Sequence, residues 1–275
     1  RNIGVENARH DWIAFTDAGI KLSDDWLEKL VEVAACAAVS TNSGAGSDNN
    51  RYSNNGRNSD GRRRRRRQVC SPPNIVYGDY APLTGTRFEK CAALAYVQPR
   101  PAAADTIRGR FIASSLMRRD VWKSVGGFPD LRAAEDLMFM EAAEIQGFSA
   151  AFAPKALVYW QLRPDIASTF RKFVVYSKTN VRAGRQYDWH HAVAKQYLLL
   201  AAFLTLSVFH SPWWFAVFPL WLFGRTAKRI FTHRQEFGLR PLLNPAIFFG
   251  VALMTLVIDL ATFTGWAQAI LTKNR

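Results

Sequence analysis

Residues 196–224 constrain this chain more than any other stretch: 29 positions pass without an Asp, Glu, Lys or Arg. As one helix they would reach roughly 43 Å, well beyond the ~30 Å hydrocarbon core of a bilayer. His210-Ser211-Pro212 interrupts the run, and Pro212 suits the first turn of a new helix. The pattern predicts a membrane hairpin, with one helix near 190–209 and a second near 212–230. Arg225, Lys228 and Arg229 would then snorkel at the end of the second. A later run, 242–271, carries Asp259 as its one charge and can supply a third span. The expectation is a membrane region over 190–275 with two or three transmembrane helices. Arg225, Lys228, Arg229, Arg234 and Arg240 lie between the second and third. By the positive-inside rule that loop, and the sequence ahead of the hairpin, face the cytoplasm at an inner or plasma membrane. Lys273 and Arg275 run against the rule if the third segment crosses fully, which leaves its topology open.

Residues 1–189 have a different texture. Residues 12–16, Trp-Ile-Ala-Phe-Thr, read as a buried strand that ends at Asp17-Ala18-Gly19. Ser23 is placed to cap the helix that follows, with Asp24, Asp25 and Glu28 near its positive end. Trp26, Leu27, Leu30, Val31, Ala34 and Ala35 give that helix an apolar face. Strand, acid, helix is the order that sets the acid at the carboxyl edge of a sheet, where such folds bind ligands. The strand has no earlier partner, so Arg1 reads as lying inside a domain whose N-terminal part is missing.

Hydrophobic residues make up 49% of the chain and charged ones 21%, which excludes a wholly disordered protein. The net charge of +14 is partly local. Residues 41–68 hold eight Arg against two Asp, including the run Arg62 to Arg67, with six Asn, four Ser and four Gly. Such a segment cannot offset its ordering entropy by apolar burial and is expected to be a disordered insertion. Its arginines would attract nucleic acid or anionic lipid, yet Tyr52 stands alone with no aromatic array around it, so nucleic acid is not the expected partner. Cys36, Cys70 and Cys91 form no close pair, which points to a reducing compartment.

Order resumes with strands expected at 74–78, 111–117 and 156–160, and helices at 88–97, 119–125 and 135–146. Gly126-Gly127 and Gly147 close two of these helices through positions that tolerate positive φ. Glu135 and Asp136 fall in the first turn of the last helix, near its free backbone N–H groups.

Three residues could carry chemistry. Asp17 can bind a divalent cation that neutralises a diphosphate, or merely cap its own turn. Asp136 can take a proton from an attacking hydroxyl, or merely answer the helix dipole. Arg163 can clamp a diphosphate through its guanidinium fork, with Trp160 and Gln161 lining an acceptor site; an interfacial Arg and Trp beside a membrane is the plainer alternative. Arg1 and Asn2, with Gly4, are candidate nucleotide contacts. His10 has no Cys or His at ligand spacing, and the chain has neither a Walker loop nor a GxGxxG.

Taken in order, several segments resemble the membrane-attached family 2 glycosyltransferases of the GT-A fold. They are RNIGVENARHDWIAFTDAGIKLSDDWLEKL (1–30), VYGDYAPL (76–83), FEKCAALAYV (88–97), RGRFIASSLMRRDVWKSVGGFPDLRAAEDLMFMEAAEIQG (108–147) and PKALVYWQLRP (154–164). The resemblance implies an α/β chain: an incomplete GT-A mixed sheet flanked by helices over 1–189, then the membrane helices. It implies that Asp17 is the first acid of an Asp-x-Asp motif holding a nucleotide diphosphate and Mg²⁺ or Mn²⁺, with Gly19 standing where the last acid is usual. Asp136 matches the aspartate of the Glu-Asp motif, the general base. Gln161 and Arg163 fall in the region of the Gln-x-x-Arg-Trp motif, but Arg163 follows Gln161 by two and Pro164 comes next, which points away from processive synthesis. The implied reaction is inverting transfer of a sugar from a nucleotide-diphosphate sugar to a lipid-linked or glycan acceptor, as in polysaccharide or glycolipid biosynthesis. The alternatives are an inactive transferase fragment, or a membrane scaffold or transporter component.

Overall fold

The computed structural model describes residues 1–39, 72–103 and 106–273; the Arg-rich segment expected to be disordered lies outside them. In chain order the elements are α1 (Asn2–Glu6), β1 (Trp12–Phe15), β2 (Ile20–Leu22), α2 (Trp26–Val39), β3 (Ile75–Pro82) and α3 (Arg87–Tyr96). There follow β4 (Ser115–Arg118), α4 (Arg119–Val125), α5 (Glu135–Ile145), β5 (Ala150–Trp160) and α6 (Ile166–Arg182). The C-terminal part holds α7 (Gln186–Phe209), a 3₁₀ turn (Pro212–Ala216), α8 (Val217–Thr232), the one-turn helices α9 (Arg234–Phe237) and α10 (Arg240–Leu243), and α11 (Pro245–Lys273).

The strands form one mixed sheet in the order β1-β4-β3-β5-β2, in which only β3 and β5 run parallel. β1 and β2 are neighbours in sequence yet occupy opposite edges. In a flat sheet four interstrand steps of about 4.8 Å would part those edges by ~19 Å. The five residue steps from Phe15 to Ile20 reach at most ~18 Å when fully extended. The sheet is curled, and the link 16–19, which contains Asp17, crosses its open end.

Both faces of the sheet are covered. Val5, Phe15, Ile75, Tyr77, Met117, Val121, Phe128 and Phe139 form one apolar layer with α4 and α5. Trp26, Leu30, Val76, Leu94, Val158, Val251, Met254 and Ile258 belong to the other, so α11 shares the core that α2 and α3 build. Thr86 starts α3 with a capping box, its hydroxyl accepting from Glu89 N–H while the Glu89 carboxylate accepts from Thr86 N–H.

Several expectations are corrected. Ser23 does not cap α2 through its side chain; its carbonyl accepts from Trp26 N–H instead, and its hydroxyl is buried without a partner. Leu27 and Val31 face outward at 48% exposure, because only the Trp26 and Leu30 side of α2 meets the sheet. The strand expected at 111–117 shortens to β4, whereas β5 starts six residues earlier than expected, extended by its parallel ladder with β3.

The hairpin is revised too. Among the described residues, two helices are long and apolar enough to cross a membrane, over Trp189–Phe209 and Pro245–Thr272. The second expected span is instead the 3₁₀ turn and the 16-residue α8. Arg225 does not snorkel: it binds Asp259 through two bonds of 2.6 and 3.2 Å, and Tyr197 donates to the same carboxylate at 2.9 Å. One acid thus ties α7, α8 and α11 together. Arg229 also turns inward, donating to the Ala95 carbonyl, while His233 lies 3.0 Å from the Val97 carbonyl. The Arg229 guanidinium at the Ala95 carbonyl answers the negative end of α3. Beside them, Arg108 spends its guanidinium on Tyr80 O, Gln98 O and Glu236, joining α9 to the sheet.

Candidate active site

Arg1 gathers the acids. Its guanidinium donates to Asp17 Oδ1 at 2.7 Å and to Glu135 Oε1 at 3.1 Å, and it also pairs with Asp136. Asp17 from the link across the sheet end and Asp136 from the first turn of α5 therefore share one corner, 119 positions apart in sequence. Ala134, the residue before α5, holds φ 70°, and no other described non-glycine residue has a positive φ. A left-handed alanine costs about 1–2 kcal/mol, strain of the kind that tertiary packing must sustain. It fixes the direction from which Glu135 and Asp136 enter the corner.

Asn2 serves a different purpose from the expected nucleotide contact. Its amide donates to Phe128 O at 2.8 Å, while its Oδ1 accepts from Phe128 N–H and from the Trp122 indole. Gly127 sits inside this clasp at φ 85°, where an added Cβ would come within 3.1 Å of Asn2 Oδ1. Asn2 holds the loop ahead of α5.

A basic cleft of 460 Å³ opens on α6, lined by Arg132, Arg163, Ser168, Arg171, Lys172, Val175 and Tyr176. Asp165 caps α6, accepting from Ser168 N–H at 2.7 Å. The Lys172 ammonium lies over the Trp160 ring at 4.2 Å, with Tyr176 at 5.3 Å and Tyr96 at 5.7 Å. Burial, and then the nearby Arg163 charge, lower its pKa to about 8. Burial raises the Tyr176 phenol; Arg163 lowers it, and Glu135 and Asp17 raise it further, so Tyr176 stands within electrostatic reach of both the cleft and the acid corner. Trp160 is thereby part of the lysine's aromatic wall, and Gln161 is exposed beside it.

Sequence reasoning found Arg163 but not Arg132, Arg171, Lys172 or Tyr176. The available signal was the run Phe170-Arg171-Lys172-Phe173-Val174-Val175-Tyr176, an amphipathic helix with two cations at one level.

For a divalent cation the donor set is thin. Asp17 already bonds Arg1, Ala18 and Gly19 add no side-chain donor, and among the described residues no group of three His, Cys, Asp or Glu is placed to hold a metal ion. The residues present do not fit Mg²⁺ or Mn²⁺.

The family model of glycosyl transferase family 2 matches residues 1–93, the stretch running from the Arg1 and Asp17 side of the corner through β3 into α3. Over those residues the chain is similar to that family, and its curled five-stranded mixed sheet is consistent with the GT-A fold. No curated protein matches the chain. The family domain implies glycosyl transfer from a nucleotide-sugar donor to an acceptor.

Proposed function

We propose that the protein is an inverting glycosyltransferase working at a membrane, with Asp136 as general base. One observation carries the reading: Asp17, Glu135 and Asp136 converge on Arg1 beside a cleft lined by cations. The acceptor hydroxyl loses its proton to Asp136 as its oxygen bonds to the anomeric carbon, and the bond to the donor diphosphate breaks on the opposite face. Arg163 stabilises the charge that develops on the leaving group. Arg1 has to leave Asp136 before that carboxylate can accept a proton, and donor phosphates are a natural competitor for its guanidinium. The apolar helices suit a lipid-linked or membrane-delivered glycan acceptor, with the catalytic part on the cytoplasmic side.

A second reading, a transferase fold without turnover, is favoured by that same Arg1–Asp136 pair. A donor-library assay on the protein in membranes separates the two. Asp136→Asn should lower turnover by about 10²–10⁴-fold with donor binding retained. Equal turnover in variant and wild type would defeat the general-base role, and no turnover in either would favour the silent fold.

A further inference from the structure

The four cations of the α6 cleft are not consumed by the fold. Arg132, Arg163, Arg171 and Lys172 form no ion pair with any carboxylate among the described residues. Lys172 is the most telling, an ammonium half-buried against three aromatic rings with no carboxylate beside it. A buried unpaired charge is costly unless an anion arrives to share it. The corner next door has the opposite character, with three carboxylates around the single Arg1. A diphosphate between the two would meet cations on one side and be held off the acids on the other.

We infer that this cleft binds the donor diphosphate without a divalent cation, Arg132, Arg163, Arg171 and Lys172 supplying the positive charge that a metal would bring. The inference rests on the glycosyl-transfer reading and deepens it. When the anomeric carbon–oxygen bond breaks, its electron pair leaves on the terminal phosphate oxygen and the diphosphate gains one negative charge. Fixed guanidinium groups and an ammonium in a partly dry cleft stabilise that charge without reorganisation. Guanidinium forks also match phosphate oxygens two at a time. Lys172, whose pKa burial lowers, regains its full charge when the anion binds beside it. Gly19, which offers no ligand where an acid would complete a cation shell, fits the same economy.

The test titrates UDP, GDP, ADP and inorganic pyrophosphate into the protein in detergent micelles, by calorimetry and by tryptophan fluorescence, in EDTA and again in Mn²⁺. The expected result is that at least one of them binds about equally in both buffers. An Arg163→Gln/Arg171→Gln double variant, both positions being exposed, should bind at least about tenfold more weakly with an unchanged circular-dichroism spectrum. Binding that requires Mn²⁺ would overturn the inference and leave the transferase reading standing. Binding in EDTA that the double variant does not weaken would place the diphosphate elsewhere and overturn it as well. No binding under either condition would overturn both.

Discussion

α7 and α11 are both long and apolar enough to cross a membrane, and they have opposite fates. Only 6% of the apolar window of α7 is buried inside the protein, against 50% for α11. Leu198, Val208 and Phe209 project from α7 with most of their surface uncovered, whereas Val251, Thr255, Ala261 and Thr262 of α11 are fully buried. Shape accounts for the difference. α11 carries Gly250 and Gly265 and a stripe of small residues, and α7 has no glycine at all. A Cβ on Gly265 would sit 2.4 Å from the Val174 carbonyl and 2.6 Å from Ser177 Cβ, and one on Gly250 would sit 2.6 Å from Cys91 Sγ. The smooth face lets α3 and α6 approach closely, in the way small residues admit close helix packing within membranes. Hydropathy measures what a helix avoids; the glycines decide what covers it. α11 is covered largely by its own protein, and α7 leaves its apolar surface uncovered.

This contrast can be broken most severely at Gly265. Gly265→Leu should lower stability by more than about 3 kcal/mol, or abolish folding, because the clash is with backbone. Thermal unfolding in detergent is the measurement, and a variant as stable as wild type would mean that α6 and α11 do not pack face to face. A smaller loss is expected from Asp259→Asn, which leaves the Arg225 charge without its counterion between the helices. About 2 kcal/mol is reasonable, between the cost of a broken buried ion pair and the weaker couplings typical of membrane helices. Least of all should follow from Leu198→Ser/Leu199→Ser/Leu204→Ser on α7. Unfolding should shift by less than about 0.5 kcal/mol per position, as for other uncovered side chains. Association with lipid vesicles should nevertheless fall. Loss of fold stability comparable to the Gly265 variant would erase the distinction between the two helices.

The candidate site's acids were easier to read from the sequence than its cations. Asp17 and Asp136 were legible because each has a local signature, one ending an apolar strand and the other opening a helix. The clustering on Arg1 was not, since it depends on the curl that brings the link between edge strands over α5. β2 is three residues long and owes its strand character to β5, which no local pattern announces. The basic cleft escaped for a related reason: Arg132 and Arg163 come from loops and Lys172 from a helix, and only the packing of α6 against Trp160 and Tyr96 sets them together. Arg225 and Arg229 misled, because a charge at the end of an apolar run looks the same whether it reaches for water or for Asp259 and Ala95 O.

The short passage from Phe15 to Ile20 acts as a strap drawn across the mouth of the sheet. Its length gauges the aperture: one more residue would slacken the rim and carry Asp17 away from Arg1. In this fold the meeting of Asp17 with the first turn of α5 is written in backbone count, ahead of any side chain.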